Sequence, residues 1–347
     1  MRLGLGLKIV NPANPSPAHY VELAQAAERY GYDSIWTAEF SSTDPFAHLA
    51  WVGSHTTDLG LGCAVAQISG RTAVTMTAGA ATMDALSGGR FRLGLGVSGP
   101  RIVEGWHGRP YTRPLSFMRE YLEVLGMAQR GEPVQYAGRE ITVPAPSGYH
   151  VAPLPFPPPG HQVPVYLGAI GPKSVALAGE LADGWIAIHC PPDYVAAGRA
   201  WLGEGAAHSG RTLSGFTTCV MVNCCVDDDE ELARDLVRPL LAMYIGGMGV
   251  GKTNFYTSLA ARLGYGDTAT AVAEAYQAGD TGEAIAALHD DLVDAMAICG
   301  SPDRVRDRLA EYGKAGTDLL IVGLAHASRR TQVEQVELIA SLAPGNQ

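Results

Sequence analysis

The amino-acid sequence predicts a closed (β/α)₈ barrel, or TIM barrel, an α/β fold in which eight parallel strands are surrounded by helices. Short apolar runs alternate with helical segments along the 347 residues, and eight such units can be counted. The runs are almost continuously apolar, as expected of parallel strands that are covered on both faces. Eight units fit a closed barrel better than an open doubly wound sheet, which stays as the alternative.

The N-terminal unit shows the pattern most clearly. An apolar run at 3–10 is followed by Ser16, a capping residue, and Pro17, which suits the first position of a helix. Gly31 ends this helix, and the run at 33–38 has the composition of the next strand. The apolar stripe of the helix consists of Val21, Leu23, Ala24 and Ala27.

The same alternation predicts the remaining elements up to the C-terminal end. Strands are expected at 3–10, 33–38, 59–65, 91–97, 163–168, 184–188, 215–226 and 318–322. After the first helix, further helices are expected near 44–57, 72–86, 113–129, 173–182, 192–207, 229–244 and 302–312.

Two segments interrupt the alternation. Residues 131–164 follow the fourth helix and contain a hairpin pattern, PVQYAGREITVP, and a proline-rich stretch, PLPFPPPG. Residues 246–291 lie between the seventh and eighth strands. Long insertions in such folds usually form the rim of the active site. We therefore predict one barrel domain over 1–347 with insertions at about 131–164 and 246–291.

Composition limits the classes of partner. Hydrophobic residues make up 47% and charged residues 17%, which is typical of a chain with a large buried core. The net charge of −10 and the absence of any basic run argue against nucleic acid as the main partner. No apolar segment approaches the roughly 20 residues of a membrane span, and the N-terminus lacks the pattern of a signal peptide.

The six cysteines show neither a CxxC pair nor the spacing of a zinc site. We interpret them as buried small hydrophobic residues in a reducing compartment. The 42 glycines show no collagen spacing or linker clustering and are interpreted as turn residues. A cytoplasmic protein without a metal is therefore expected.

In barrels of this kind the active site lies at the carboxyl ends of the strands. Two of these ends are rich in glycine, at 94–100 and 168–174, and the second also begins a helix. Exposed backbone N–H groups and a helix N-terminus favour phosphate binding, although the glycines also fit simple turns and close packing. The candidate strand ends are Asn11, Glu39-Phe40, 64–67, 98–100, 168–171, His189 and 324–326.

Five motifs resemble the bacterial-luciferase-like superfamily, and specifically its coenzyme F420-dependent oxidoreductases. They are LSGGRFRLGLGVSGP at 86–100, GPKSVALAGELADGW at 171–185, GYDSIWTAEF at 31–40, IVEGWHG at 102–108 and YIGGMG at 244–249. The last two resemble an actinobacterial branch. The resemblance covers nearly the whole chain and identifies a cofactor class more specifically than a substrate.

The resemblance implies a deazaflavin across the barrel mouth, with its phosphate between the strand ends at 98–99 and 168–171. It also implies a non-proline cis peptide between Ala64 and Val65 behind the ring, with the Gln67 amide bonding the pyrimidine carbonyls. The implied cofactor-binding residues are Glu39, Ala64, Val65, Gln67, Ser98, Gly99, Pro100, Val103, Gly168, Ala169, Ile170, Gly171 and Pro172.

The implied activity is hydride transfer between the deazaflavin C5 and a small organic substrate that carries a carbonyl, an imine or an activated alkene. Relatives often carry a histidine where this chain has Phe40, which removes one acid or base. We expect Glu39 first, and then His189, to be the catalytic acid. The other acids expected at the mouth are Glu104, His107, Tyr244 and His326.

Three further expectations concern cofactor and assembly. A flavin-mononucleotide (FMN)-dependent monooxygenase of the same superfamily is the alternative, because both cofactors would use the same phosphate site. The resemblance also implies a homodimer that packs through helices near the second and third strands. The tract GGMGVGKT at 246–253 matches the phosphate-loop pattern, but its helical preceding sequence argues against this remote nucleotide-binding alternative.

Overall fold

The computed structural model describes residues 1–7, 16–39, 43–146, 162–249, 251–326 and 328–343. Asn11, Phe40 and the proline-rich stretch lie outside these ranges. The strands are β1 (Arg2–Gly6), β2 (Ser34–Thr37), β3 (Gly60–Cys63), β4 (Ala66–Gln67), β5 (Phe91–Gly96), β6 (Tyr136–Ala137), β7 (Thr142–Val143), β8 (Val165–Gly168), β9 (Gly184–Ile188), β10 (Thr217–Val226), β11 (Ala297–Gly300) and β12 (Leu319–Leu324).

Helices surround the sheet and also build the second insertion. They are α1 (Pro17–Arg29), α2 (Pro45–Gly53), α3 (Ala73–Ser87), α4 (Pro100–Gly105), α5 (Pro114–Gln129), α6 (Pro172–Leu181), α7 (Pro192–His208), α8 (Glu230–Ala242), α9 (Phe255–Arg262), α10 (Gly266–Gln277), α11 (Thr281–Ala286), α12 (Asp290–Met296), α13 (Pro302–Lys314) and α14 (Arg329–Leu342). None of the helices within the described ranges has the length and apolarity needed to cross a bilayer.

Eight parallel strands of the described chain close into the predicted barrel. β1, β2, β3, β5, β8, β9, β10 and β12 each pair with the next in chain order, and β12 returns to pair with β1. An open doubly wound sheet is excluded, because such a sheet would leave two unpaired edges. The expected (β/α)₈ barrel is confirmed.

Several elements go beyond the predicted alternation. β11 pairs with the C-terminal half of β10, while the N-terminal half of that long strand pairs with β9. The short helix α4 follows β5 directly and was not predicted. The hairpin expected in the first insertion is present as β6 and β7, and α9 to α11 lie in the second insertion, with α12 starting at its end.

Large side chains fill the barrel interior. Trp36 and Tyr166 meet edge to face, with ring centroids 5.8 Å apart. Glycines in neighbouring strands make room for them: a Cβ at Gly62 would lie 2.2 Å from the Trp36 ring, and one at Gly184 would lie 2.1 Å from Tyr166. The interpretation of the glycines as turn residues is therefore wrong for these positions, because here they permit close packing. All six cysteines are buried, as expected.

Helices α6 and α7 pack closely through two glycines. A Cβ at Gly179 would lie 2.1 Å from the Leu202 carbonyl oxygen, and a Cβ at Gly205 would lie 1.8 Å from the Ala176 carbonyl oxygen. Only glycine allows this approach, since the obstructing atoms are backbone. The contact fixes α6, whose N-terminus faces the barrel mouth.

Gly205→Ala should lower the free energy of unfolding by about 2 kcal/mol or more, because α6 and α7 must move apart. Gly203→Ala in the same helix is the control: its added methyl group would meet nothing within 4 Å, so it should stabilise the protein by about 0.5–1 kcal/mol. The measurement is the urea midpoint of each variant. Equal midpoints would show that the glycine contact is unimportant.

Candidate active site

A cavity of about 660 Å³ opens at the carboxyl ends of the barrel strands. Strand ends form its floor, while α5 and the second insertion contribute side walls. The residues that line it are Ala38, Glu39, Ala64, Val65, Gln67, Gly96, Val97, Ser98, Gly99, Ile102, Pro114, Leu115, Met118, Leu167, Gly168, Ala169, Ile170, Gly171, Pro172, Lys173, Ser174, Ile188, Tyr244, Met248, Phe255, Tyr256, Ser258 and Arg262. This is the site that the strand-end rule predicts.

The floor of the cavity contains Val65. The peptide bond between Ala64 and Val65 is cis, as the resemblance implied. Val65 lies against two strand ends: a Cβ at Gly96 would be 2.4 Å from its side chain, and one at Gly168 would be 2.9 Å away. Glycine at both positions leaves room for the valine, which presents an apolar surface to the cavity.

Glu39 connects neighbouring strand ends. Its Oε2 accepts a hydrogen bond from the Gln67 backbone N–H at 2.7 Å, and its Oε1 pairs with Arg71 at 2.9 Å. Burial alone would lower the pKa of Arg71, but the charges of Glu39 and Asp44 outweigh it and raise that pKa overall. Both Glu39 oxygens are therefore occupied by donors, so the carboxylate holds the wall in place.

Gln67 leaves one polar atom open to a ligand. Its Nε2 donates to the Glu39 carbonyl oxygen at 3.0 Å, which fixes the orientation of the amide. Its Oε1 is buried and has no hydrogen-bond partner. A buried acceptor without a donor costs free energy, so this oxygen is suited to a ligand N–H. The sequence assigned the amide to ring carbonyls, whereas the open atom is an acceptor.

The end of β5 contacts the second insertion. Ser98 has a left-handed backbone, with φ of 58°, and its carbonyl oxygen accepts from the Tyr111 hydroxyl at 3.1 Å. A Cβ at Gly99 would lie 2.5 Å from the Met248 carbonyl oxygen. Ser98 and Gly99 line the cavity, as expected, whereas Pro100 and Val103 lie in α4 outside the lining and Ile102 faces it instead.

The end of β8 forms a fixed loop before α6. Trp185 Nε1 donates to the Ala169 carbonyl oxygen, and the Tyr194 hydroxyl donates to the Ile170 carbonyl oxygen, each at 2.8 Å. The Ser174 hydroxyl donates to the Gly171 carbonyl oxygen, also at 2.8 Å. The Ala169 N–H donates to the Ile186 carbonyl oxygen and Pro172 has no N–H, so the backbone N–H groups left for an anion at this helix N-terminus are those of Ile170, Gly171 and Lys173.

Two cations stand beside this helix N-terminus. Lys173 and Arg262 both line the cavity, and Arg262 Nη2 lies 4.0 Å from the position of a Cβ at Gly171. Arg262 belongs to α9 in the second insertion, and no local sequence signal connects it with Gly171. The guanidinium and the α6 amides together give the cavity an electropositive end.

His189 does not line the cavity. Its backbone is left-handed, with φ of 56°, and its N–H donates to the Met221 carbonyl oxygen at 2.8 Å. The ring is 2% exposed and lies edge-on to Tyr244 and Tyr256, at centroid distances of 4.6 and 6.1 Å. The two tyrosines therefore lie in the cavity wall, and His189 packs behind them.

The remaining acids expected at the mouth also lie outside the lining. The Glu104 carboxylate accepts from the Tyr111 backbone N–H at 2.9 Å, and His107 bonds Ser69 at 2.7 Å. His326 Nε2 lies 3.3 Å from Cys225 Sγ. Among the acids that the sequence proposed, only Glu39 and Tyr244 line the cavity.

The phosphate-loop pattern at 246–253 has the wrong structural context. It begins inside the π-helical turn at Met243–Gly247 that continues α8, whereas a phosphate loop follows a strand. Gly246 is required by packing, since a Cβ there would lie 2.4 Å from Tyr276. The nucleotide-binding alternative therefore has no structural support.

Glu39→Gln should lower the free energy of unfolding by about 2 kcal/mol. The carboxylate accepts hydrogen bonds from two donors, whereas the NH₂ group of glutamine is itself a donor and would face one of them. Glu334→Gln is the control, since its pair with Arg330 is largely exposed and should contribute nothing measurable. Urea midpoints measure both. A Glu39→Gln midpoint equal to that of wild type would contradict the wall function of the carboxylate.

Comparison with known proteins identifies the family. The model for luciferase-like monooxygenases matches residues 1–319. A putative coenzyme F420-dependent oxidoreductase of Mycobacterium tuberculosis is 38% identical over 99% of both chains, and a 5,10-methylenetetrahydromethanopterin reductase of Archaeoglobus fulgidus is 27% identical over 88% of both.

The fold has known counterparts too. The structure of the coenzyme F420-dependent tetrahydromethanopterin reductase from Methanopyrus kandleri superposes with a TM-score of 0.81 at 24% identity, covering 99% of this chain and 98% of that one. Together with the match over residues 1–319, these similarities show that the chain belongs to the luciferase-like monooxygenase family.

Proposed function

We propose that the chain is a coenzyme F420-dependent oxidoreductase that transfers a hydride between the deazaflavin C5 and a small organic substrate with a carbonyl, an imine or an activated alkene. The proposal rests on the combination of side chains and backbone groups that line the cavity. An electropositive end at α6 and an open acceptor at Gln67 lie in the same lining as the apolar Val65. The names of the similar proteins support the same cofactor.

The chemistry of the wall fits this cofactor. The imide N–H of the deazaflavin ring matches the unpaired Gln67 Oε1, and Val65 supplies an apolar support for the ring. The phosphate matches the Gly171 amide, Lys173 and Arg262. When bound, the deazaflavin supplies hydride chemistry, and orientation is left to the protein.

The sequence-derived site residues then take different tasks. Glu39 positions Gln67, and His189 positions the two tyrosines, so both act through neighbours. Pro100 and Val103 support the Ser98–Gly99 strand end through α4. The sequence-derived residues that line the cavity are Glu39, Ala64, Val65, Gln67, Ser98, Gly99, Gly168, Ala169, Ile170, Gly171 and Pro172.

Titration with F420 and with flavin mononucleotide, in parallel, tests the cofactor. Quenching of tryptophan fluorescence is a suitable signal, because Trp185 bonds the Ala169 carbonyl beside the expected phosphate. We expect micromolar binding of F420 and weaker binding of flavin mononucleotide. Binding of flavin mononucleotide alone would overturn the proposal in favour of a flavin-dependent monooxygenase.

The same titration of the Arg262→Ala variant tests whether Arg262 contacts the phosphate of the cofactor. Loss of the guanidinium should weaken F420 binding about tenfold, in line with a charge-assisted hydrogen bond of about 1.5 kcal/mol. The deazaflavin nucleoside, which lacks the phosphate, is the control ligand and should bind wild type and variant equally. An equal loss for both ligands would place Arg262 away from the phosphate.

We also propose that residues 1–347 form one barrel domain that assembles as a homodimer in the cytoplasm. Large apolar side chains are exposed on helices after the second and third strands: Trp51 of α2 is 49% exposed and Leu86 of α3 is 71% exposed.

Sedimentation equilibrium should give a dimer mass for wild type and a monomer mass for Trp51→Glu, because a buried charge opposes this interface. Leu232→Glu, at an exposed apolar residue of α8 outside the cavity lining, is the control and should remain dimeric. A monomeric wild type would contradict the assembly.

A further inference from the structure

Two tyrosines, Tyr244 just before the second insertion and Tyr256 within it, are unlike the buried tyrosines elsewhere in the described chain. Tyr244 and Tyr256 line the cavity, and neither hydroxyl has a hydrogen-bond partner among the described residues. Buried tyrosine hydroxyls usually find one. Four buried tyrosines follow that rule and donate to a backbone carbonyl oxygen: Tyr32, Tyr121, Tyr194 and Tyr312.

One buried side chain fixes both tyrosines. Asn254 is 1% exposed, and its Nδ2 donates to the carbonyl oxygens of Tyr244 at 3.1 Å and Ile245 at 2.6 Å. Its Oδ1 accepts from the Tyr256 backbone N–H at 2.9 Å. The π-helical turn at Met243–Gly247 widens the backbone here, and such turns are frequent at functional sites.

The rings have little freedom to turn away. Tyr244 and Tyr256 meet edge to face with centroids 4.7 Å apart, and His189 packs against both. Among the other polar side chains of the lining, Glu39 is engaged by Arg71 and Ser174 by the Gly171 carbonyl oxygen. The two phenols, like the hydroxyls of Ser98 and Ser258, are neutral donors in the lining, and they are the two whose side chains are in contact with each other.

We infer that Tyr244 and Tyr256 form a hydrogen-bond donor pair for the oxygen of an uncharged, largely apolar carbonyl substrate, an inference that rests on the proposed oxidoreductase function. A carbonyl oxygen has two lone pairs and can accept from both hydroxyls. An imine nitrogen has one lone pair, and the C=C bond of an alkene has none. An imine therefore cannot use both donors, and an activated alkene can do so only through a carbonyl group that activates it.

The surroundings agree with this class of substrate. Leu115, Met248 and Phe255 are apolar residues that line the same cavity. Burial raises the pKa of Tyr244 to about 12 and raises that of Tyr256 well above its usual value. Both hydroxyls keep their protons at neutral pH, so they donate and do not act as bases.

Infrared spectroscopy of a bound ketone tests the pair. Cyclohexanone should bind the F420-loaded protein with its C=O stretch shifted to lower frequency, since hydrogen bonding weakens that bond. Tyr244→Phe and Tyr256→Phe should each reduce the shift and weaken ketone affinity about fivefold. Methylenecyclohexane, a similar shape without an acceptor, should bind all variants alike.

Tyr276→Phe is the matched control. Tyr276 packs against Gly246 of the π-helical turn but does not line the cavity, so the frequency and affinity should equal those of wild type. F420 affinity of each variant is measured alongside. The ketone measurements are repeated without F420, which separates the tyrosine pair from the cofactor.

Three outcomes would overturn the inference: no cyclohexanone binding to wild type, an unchanged frequency in both cavity variants, or a loss of F420 affinity in place of ketone affinity. A ketone shift that depends on both tyrosines in a protein that fails to bind F420 would support the donor pair. That result would at the same time overturn the proposed function.

Discussion

Closure of the barrel is the constraint on which the site depends. β1 pairs with β12 from Arg2↔Leu319 to Gly6↔Gly323, so the first and last strands must meet before the interior is sealed. Closure directs every strand end of the barrel to one mouth. Trp36 and Tyr166 fill the interior below it. The cavity therefore lies above a packed barrel interior. The residues that would contact a bound ligand come mainly from the loops that follow the strands.

Close packing and ligand binding both require residues without a side chain at the barrel mouth. Gly96 and Gly168 leave room for Val65, and Gly99 leaves room for the Met248 carbonyl. A side chain at any of these positions would also narrow the cavity. The glycine-rich strand ends are thus explained by close packing, and the accessible backbone that suits a phosphate follows from it.

The sequence predicted the elements and strand ends well, because apolar periodicity and helix caps are local signals. It also placed His189 at the mouth by the strand-end rule, but the left-handed backbone there turns the ring behind Tyr244 and Tyr256. Arg262 and Tyr256 were missed for a different reason. Arg262 lies beside Gly171, which is distant in the sequence, and Tyr256 is held by the Asn254 side chain, and no periodic pattern reveals either arrangement.

The central claim is that the barrel mouth holds a deazaflavin against Val65 and Gln67. A crystal structure with oxidised F420 tests it most directly. The account predicts the ring on Val65, its imide N–H within hydrogen-bond distance of Gln67 Oε1, and the phosphate beside Gly171 and Arg262. A ring bound elsewhere, or a Gln67 Oε1 still without a donor in the loaded protein, would contradict it.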